Sequence, residues 1–275
     1  MTVSVFFLCR FEDTEILYKT ERFLKSYVQY PDIMPHKLYI GLKGWKDQND
    51  VHAIVQRFGI ECEFLSLPDK GFDWTSYFVF SRVACTRYVC FLNSHSEILS
   101  NKWLSRLMAG VTERPCIVGN TASFSKINRL PRPNWHLIKC PWVFLYIVIS
   151  CFFQGKRLDY DPVEGHIRSN AFLIERMLFN EFAESRFCPI NKAGAHELES
   201  GRLSLTNFVT KEKGGGAYVV NDSDKVYSEC DWFEAHTFRV NQQEKLLIAD
   251  NQTRFFAGQS WYRKCIMTFM TWLRL

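Results

Sequence analysis

Five consecutive polar residues, Asn93-Ser94-His95-Ser96-Glu97, follow the apolar run Tyr88 to Leu92 and precede an aromatic-anchored Trp103-Leu104. An amide, two hydroxyls, an imidazole and a carboxylate in one short loop can hydrogen-bond a polar ligand or hold a cation, and hard cations prefer oxygen donors. Farther along, Glu197 and Glu199 stand two positions apart. Such a pair shares a side in a strand and divides between faces in a helix, so one of the two faces any given point. Either suits removal of a hydroxyl proton as a general base. The plainer role for both is the start of a helix, where acids favour the macrodipole. No G-x-G-x-x-G follows the first strand pattern and no G-x-x-x-x-G-K-[ST] occurs anywhere. Dinucleotide-dependent hydride transfer and P-loop ATP hydrolysis therefore drop out. An α/β methyltransferase would need a glycine-rich loop where Cys9-Arg10-Phe11-Glu12 stands.

The elements that must position these residues are legible as alternating strand and helix patterns over residues 1 to 120, which predicts an α/β fold. Val3 to Leu8 reads as a strand buried on both faces, Lys37 to Leu42, Cys62 to Leu67 and Tyr88 to Leu92 as further strands, and Cys116 to Gly119 as the fifth that closes the unit. Helical spacing covers Glu12 to Gln29, Asn49 to Phe58 and Asp73 to Ala84, and Ser100 is the expected cap of the helix through Leu104 and Leu107. In such sheets ligands lie outside the carboxyl ends of the parallel strands. That directs attention to Cys9-Arg10, Lys43-Gly44, Pro68-Asp69-Lys70-Gly71, the 93 to 97 loop and Asn120-Thr121. Beyond a proline-rich insert, His166 to Ile174 reads as a strand followed by a helix from Glu175. Gly214-Gly215-Gly216 reads as a turn into the strand Ala217 to Val220, and Leu246 to Ala249 as a late strand.

With 275 residues, 47% hydrophobic and 23% charged, the chain is long enough for one large domain and excludes disordered, collagen-like or coiled-coil readings. Its ten cysteines form no C-x-x-C pair, so a structural zinc site is not expected, and a reducing compartment with free thiols is the simplest account. The first eight residues lack a basic region and a cleavage site and read as a strand rather than a signal peptide. The net charge of +5 is uneven. Residues 114 to 158 hold Arg114, Lys126, Arg129, Arg132, Lys139, Lys156 and Arg157 without an acid, and residues 251 to 275 hold Arg254, Arg263, Lys264 and Arg274 without one. These eleven cations leave the remainder acidic by six. The same stretches concentrate aromatic side chains, among them Trp135, Trp142, Phe144, Tyr146, Phe152 and Phe153, then Trp261, Tyr262, Phe269 and Trp272. The run Pro141 to Phe153 falls short of the roughly 18 to 20 apolar residues that span a bilayer. It fits a helix in the headgroup plane, giving a membrane surface as partner through 135 to 157 and 261 to 275, or equally a buried core helix. Nucleic acid is not an expected partner, because the cations are sparse and interleaved with aliphatic runs.

The string Tyr88-Val89-Cys90-Phe91-Leu92-Asn93-Ser94-His95-Ser96-Glu97-Ile98-Leu99, followed by Trp103-Leu104 and Leu107, resembles the hallmark of GT-A glycosyltransferases of the family 2 type, in which a strand ends in D-x-D and leads to a helix carrying W-L-x-x-L. Asp69-Lys70-Gly71-Phe72-Asp73 resembles the loop lying against the nucleotide, His166 to Ile174 the strand beneath the acceptor, and His196 to Gly201 the place of the acidic E-D motif. Phe91 to Ser94, His166 to Ile174, Glu199 to Thr206 and Leu246 to Arg254 are also similar to motifs of a bacterial polysaccharide subset with F-L-N-S at the strand end.

The resemblance implies a GT-A, Rossmann-like fold with a mixed, mainly parallel sheet flanked by helices. It divides the chain into a nucleotide-sugar half at 1-120, a basic aromatic insert at 121-165, an acceptor-binding and catalytic half at 166-250 and a basic amphipathic C-terminal segment at 251-275. The implied activity is inverting transfer of a sugar from a nucleotide-sugar donor to a glycan or lipid-linked acceptor in polysaccharide biosynthesis, such as lipopolysaccharide or capsule. The implied location is the cytoplasmic face of the membrane. A degenerate GT-A scaffold in a glycan-assembly complex is the alternative. Glu199, then Glu197, is the implied base. Arg10, Asp69, Gly71, Asp73, Asn93, Ser94 and His95 are the implied donor contacts, and His166, Arg168, Asn170, Asp250 and Arg254 the substrate contacts. A departing nucleoside diphosphate must have its charge neutralised by a divalent cation or by Arg, Lys and backbone N–H groups. Asn93-Ser94-His95 lacks both D-x-D carboxylates, which favours a metal-independent reaction with Arg10, Lys70, Arg168 or Arg254 in that role. If Mn2+ or Mg2+ binds, His95 with Glu97 is the remaining ligand. Three of these residues also have plainer expectations: His95 a local hydrogen bond, Asp73 a helix cap, and Asp250-Asn251 an Asx turn.

Overall fold

The computed structural model describes residues 3–125, 129–130, 141–154, 157–158 and 164–274, with backbone alone at 129–130, 151–154 and 157–158. Strand β1 (Val3–Arg10) buries every residue from Val3 to Cys9, as a strand covered on both faces must. Phe6 and Leu8 enter one core with Tyr77, Phe80 and Phe91, while Val5, Phe7 and Cys9 enter a second with Phe23, Leu24 and Trp103. The first half alternates strictly: α1 (Ile16–Gln29), β2 (His36–Lys43), α2 (Asn49–Phe58), β3 (Cys62–Leu67), α3 (Asp73–Val83) and β4 (Tyr88–Leu92). Then come β5 (Glu97–Ile98), α4 (Trp103–Ala109), β6 (Cys116–Gly119), β7 (Ala122–Ser123), β8 (Arg129–Leu130), α5 (Pro141–Gln154) and β9 (Arg157–Leu158). The second half runs through β10 (His166–Ile167), β11 (Ala171–Glu175), α6 (Arg176–Ser185), α7 (Lys192–Ser200), α8 (Leu205–Asn207) and β12 (Gly216–Val220). It ends with β13 (Val226–Tyr227), β14 (Ile248–Ala249), α9 (Asn251–Ala257) and α10 (Trp261–Trp272).

The eight-stranded sheet has the order β3-β2-β1-β4-β11-β6-β12-β13. Strands β1 to β4 are mutually parallel, and β11 lies antiparallel between β4 and β6, with Ala171 opposite Leu92 and Phe172 opposite Gly119. The expected mixed, mainly parallel α/β sheet is therefore what the chain forms. Two expectations change. Cys116 to Gly119 does not close the parallel unit directly, because β11 is inserted beside β4. His166 to Ile174 is not one strand but β10 and β11 separated by a turn at 168–170, and β10 pairs instead with β7. The antiparallel direction of β11 has a consequence for function. Its beginning, rather than its end, lies beside the carboxyl end of β4, where Asn93 N–H donates to the Asn170 carbonyl at 3.0 Å.

Asn120 draws the late chain to the same edge. Its amide donates to the Ile248 carbonyl at 2.5 Å and its Oδ1 accepts from Leu247 N and Ile248 N, both at 3.1 Å. Strand β14 then pairs with β5, which sets Asp250 next to the 93 to 97 loop. Helices α5 and α10 pack through a separate small core of Val143, Ile147, Cys265 and Phe269. Among the described residues no helix is long and apolar enough to cross a membrane. Lys126, Arg132, Trp135, Lys139 and Lys156 of the basic insert lie outside the described residues, and nothing is described of the side chains of Arg129, Phe152, Phe153 and Arg157.

Ser100 does not cap α4; its hydroxyl donates to Asp222 and accepts from Arg106. The first-turn N–H groups of α4 are satisfied from a distant loop, where Asp32 accepts from Leu104 N at 2.8 Å, from Ser105 N at 3.0 Å and from the Ser105 hydroxyl. Burial works against ionisation of Asp32, but the hydrogen bonds from Ser105, Met34 and Leu104 outweigh it and hold the carboxyl below its ordinary value. Removing this remote cap by Asp32→Ala should cost about 1 kcal/mol at pH 7, read by urea unfolding. The folded-state value being the lower one, the contribution is complete above the unfolded value of about 3.9 and disappears as pH falls through the folded one. The difference between the two proteins should therefore narrow on acidification below pH 4.

Candidate active site

At the carboxyl edge of β1, β2 and β4 the sequence places charges that the fold brings together. Lys43, the last residue of β2, is fully buried, and its Nζ donates to the carbonyls of Gly71 at 2.5 Å and Phe72 at 3.0 Å. The ammonium thus holds the loop that leads into α3. Gly71 is confined to this turn by a positive φ of 62° and by Thr75 Oγ1, which would lie 2.0 Å from a Cβ at that position. Asp73 opens α3 one residue after its N-cap, Phe72, so it is not the cap. Burial, reinforced by Asp13 and Glu199, pushes the Asp73 carboxyl up to about 6 against the pull of Lys43 and Arg10. Arg10 pairs with Glu12, and its Nε is buried without a hydrogen-bond partner. Asp69 stays exposed and rests against Gly44.

The 93 to 97 tip is largely spent on its own architecture. Asn93 Oδ1 accepts from His95 N at 3.0 Å and the Ser96 hydroxyl at 3.2 Å, and Ser94 Oγ donates to Asp13. Arg254 donates to Glu97 at 3.0 Å and to the His95 carbonyl at 2.8 Å, which clamps the loop from α9. Ser94 and Arg254 are thus bracing groups; neither lines the adjoining cavity, whereas Asn93 does. Burial and the Lys19 cation push His95 below its ordinary value despite Asp13. A divalent cation does not fit here: two hydrogen bonds occupy the Asn93 carbonyl oxygen, and among the described residues no three His, Cys, Asp or Glu side chains converge as ligands.

Beside this tip lies a cavity of about 460 Å3 bordered by Asn93, by the 166–170 segment, by α7 and by the start of α9, with Phe238 and Met267, Met270 and Thr271 of α10 completing the wall. Asn170 is 4% exposed; its Oδ1 accepts from Thr121 Oγ1 at 3.1 Å and its Nδ2 has no hydrogen-bond partner. A buried donor left open in a polar cavity is costly unless a ligand completes it. Arg168 lies 4.7 Å over the Phe238 ring and 3.6 Å from Asp250 Oδ2. The other Asp250 oxygen accepts from Thr253 N at 2.7 Å, so this residue is the N-cap of α9 in a capping box, where an Asx turn was expected, while still bordering the cavity. His166 borders it too.

In α7, Glu199 and His196 share a face at i, i+3, and Glu197 points elsewhere. Glu197 Oε1 accepts from Leu203 N at 3.2 Å, and its carboxyl folds over Gly201 at the end of the helix, outside the cavity. That removes Glu197 from the site. Glu199 Oε1 accepts from Ser169 N at 2.9 Å and Ser169 Oγ at 2.8 Å, and Oε2 faces His196 Nδ1 at 3.7 Å. Burial opposes its charge, yet His196, His166, Ser169 and Arg168 together hold the carboxyl down to about 2. Such a group is ionised at neutral pH, with Oε1 taken by two hydrogen bonds and Oε2 facing the imidazole beyond hydrogen-bond distance.

The structure thus gathers Arg10, Gly71, Asp73, Asn93, His95, Arg168, Asn170, Asp250 and Glu199 along one edge. It adds Asp13, Ser169 and Phe238, and gives roles to Lys43, which stood only among the strand-end loops, and to His196, which stood only at the head of the acidic motif. Asp13 follows a strand-like run, a usable signal; Ser169 and Phe238 depend on long-range packing.

No family model matches the sequence, and no curated protein does. Solved structures are similar to it over part of their length. 4-Diphosphocytidyl-2C-methyl-D-erythritol synthase from Anaerococcus prevotii superposes with a TM-score of 0.50 at 11% identity, over 80% of this chain and 86% of that one. Glucosyl-3-phosphoglycerate synthase from Mycobacterium tuberculosis, in complex with Mn2+, UDP and glucosyl-3-phosphoglycerate, gives 0.37 at 13% identity, over 64% of this chain and 57% of that one. S. aureus TarS 1-349 gives 0.38 at 14% identity, over 66% and 49%. The chain therefore spans about half the length of the last two.

An acid raised by burial is a stability cost kept at the site. Asp73→Asn should stabilise the chain by about 1 to 2 kcal/mol at pH 7. Here the folded value exceeds the unfolded one, so the cost is complete above pH 6 and absent below about pH 4, where both states are protonated. Thermal unfolding of the two proteins should diverge between pH 4 and 6; parallel curves would remove the argument.

Proposed function

We propose that the chain is a GT-A glycosyltransferase that moves a sugar, with inversion, from a nucleotide-sugar donor to a glycan or lipid-linked acceptor in polysaccharide biosynthesis. The observation that carries this reading is the junction of two unlike half-sites at one sheet edge. The Arg10, Asp13, Lys43 and Asp73 cluster adjoins a cavity holding the ionised Glu199, the open Asn170 amide and the Phe238 ring. A donor diphosphate suits the first, where Arg10 still has an unpartnered buried N–H. A sugar acceptor suits the second, because a pyranose offers hydroxyls to Asn170 and apolar C–H faces to Phe238 and Met270. With no carboxylate pair at 93 to 95, the leaving diphosphate is neutralised by Arg10 and Arg168 rather than by a cation. The test is transfer and nucleoside diphosphate release by the purified chain across nucleotide sugars, with and without EDTA. Turnover unchanged by EDTA, lost at least 100-fold in Glu199→Gln with donor binding held within a few fold, is expected. Absence of nucleotide binding under both conditions would favour the degenerate scaffold.

The paired helices α5 and α10 supply the docking surface of this reading. Phe144, Leu145, Val148 and Ile149 of α5 are exposed on one side, and Trp142, Trp261 and Tyr262 cluster at one end with ring centroids 5.3 to 5.6 Å apart. Exposed Arg263 follows directly, in a segment free of acids. Aromatic rings and cations at the edge of an apolar face match a membrane interface with anionic lipid. Because Met267, Met270 and Thr271 of α10 also wall the cavity, a lipid-linked acceptor would enter where the helix pair docks. Leu145→Ser with Val148→Ser should abolish flotation with phosphatidylglycerol vesicles while leaving the melting temperature unchanged. Retained flotation, or a shift from dimer to monomer in sedimentation, would overturn the assignment to lipid.

A further inference from the structure

Arg168 reaches the cavity with its side-chain N–H groups uncommitted. Its backbone is tied down on both sides: its own N–H donates to the Thr121 carbonyl at 3.1 Å, and the next residue, Ser169, is bonded to Glu199. The side chain is 18% exposed and makes two close contacts, both with residues that line the cavity. Its guanidinium lies 4.7 Å over the Phe238 ring and 3.6 Å from Asp250 Oδ2, too far for a hydrogen bond. Among the described residues, these contacts leave the guanidinium N–H groups without an acceptor. A ring met face-on attracts the charge without using a donor, whereas a carboxylate at hydrogen-bond distance would take two.

The Phe238 ring is held there at a conformational cost. Residue 238 has a φ of 47°, in the left-handed region that a bulky side chain rarely adopts, and His236 and Asn241 on either side of it lie there too. Hydrogen bonds from two helices impose this path. The Phe238 N–H donates to Gln243 Oε1 at 3.1 Å, and Gln243 Nε2 donates to the Thr253 carbonyl of α9 at 2.7 Å. From α10, Trp272 Nε1 donates to the Thr237 carbonyl at 2.8 Å, and Thr268 Oγ1 accepts from Val240 N at 3.1 Å. Phe256 meets the ring edge to face at 5.6 Å. A strained residue over-determined in this way at a cavity wall is a mark of preorganisation.

We propose that Phe238 is a positioning residue for the transfer reaction, its ring holding the Arg168 guanidinium at the cavity with the donors free for the oxygens of the departing diphosphate. The assignment rests on the glycosyl-transfer reading. As the bond from the anomeric carbon to the diphosphate breaks, its electron pair leaves with the nucleotide, and a guanidinium already oriented meets that charge without rearrangement.

The test varies the charge of the ring and leaves its shape nearly alone. Phenylalanine carrying one, two or five ring fluorines at position 238 weakens the attraction for a cation stepwise. Calorimetry on the wild-type chain, this series and Phe238→Leu measures the binding of UDP, GDP and ADP, each against its monophosphate. The dissociation constant of the diphosphate that the wild-type chain binds should rise stepwise along the series, reaching about 3- to 30-fold in Phe238→Leu. That of the corresponding monophosphate should stay within about twofold. In Arg168→Gln the diphosphate is weakened once and the series becomes flat, because the two side chains act as one unit. A ring that only fills space would weaken both nucleotides alike, with or without the Arg168 charge. That result, or a flat series in the wild-type background, would overturn the positioning assignment alone. A wild-type chain that binds none of the diphosphates would overturn the transfer reading and the assignment with it.

Discussion

The carboxylate of Glu199 is the joint on which the site depends. It reaches from α7 to Ser169 in the turn that separates β10 from β11, and so ties a helix of the second half to the strand that sits beside β4. A buried carboxylate of this kind is tolerable only when donors surround it, and here two Ser169 donors and an imidazole do so. The same interaction fixes the cavity wall and keeps the group ionised. Tyr77 ties the same turn to the core, its hydroxyl donating to the Ser169 carbonyl at 3.3 Å.

Around this joint the described residues hold several charges in fixed places. Lys43 replaces bulk water with two loop carbonyls and lies near Asp73, whose own ionisation is opposed by burial and by Asp13. Arg254 is spent on Glu97 and the His95 carbonyl, which makes the polar tip a rigid ledge rather than a set of free ligands. The outcome is an edge where cationic and hydrogen-bonding groups are fixed before any ligand arrives, the arrangement that electrostatic stabilisation of a leaving group requires.

The outer helices connect this edge to the surface. α10 buries Cys265 and Phe269 against Val143 and Ile147 of α5, while Met267 and Met270 turn toward the cavity. The two readings first open for the Pro141 to Phe153 run, core helix and surface helix, are thus divided between faces of one helix. Val143 and Ile147 are buried, and Phe144, Leu145, Val148 and Ile149 are exposed.

Strand and helix patterns over the first 120 residues were legible because burial on both faces writes continuous apolar runs and amphipathic helices write a 3.6-residue period. Those signals located β1 to β4 and the polar residues at their ends, including Arg10, Asn93 and His95. The spacing of Glu197 and Glu199 left a shared side in a strand or separate faces in a helix open, and the helix α7 divides them. What periodicity cannot carry is contact between distant segments. The antiparallel insertion of β11, the remote capping of α4 by Asp32, and the hydrogen bonds of Ser169 to Glu199 each join residues 30 to 87 positions apart. A residue type records which chemistry is available. Only the packed chain decides which lone pair is already occupied, as the two Ser169 hydrogen bonds on Glu199 Oε1 show.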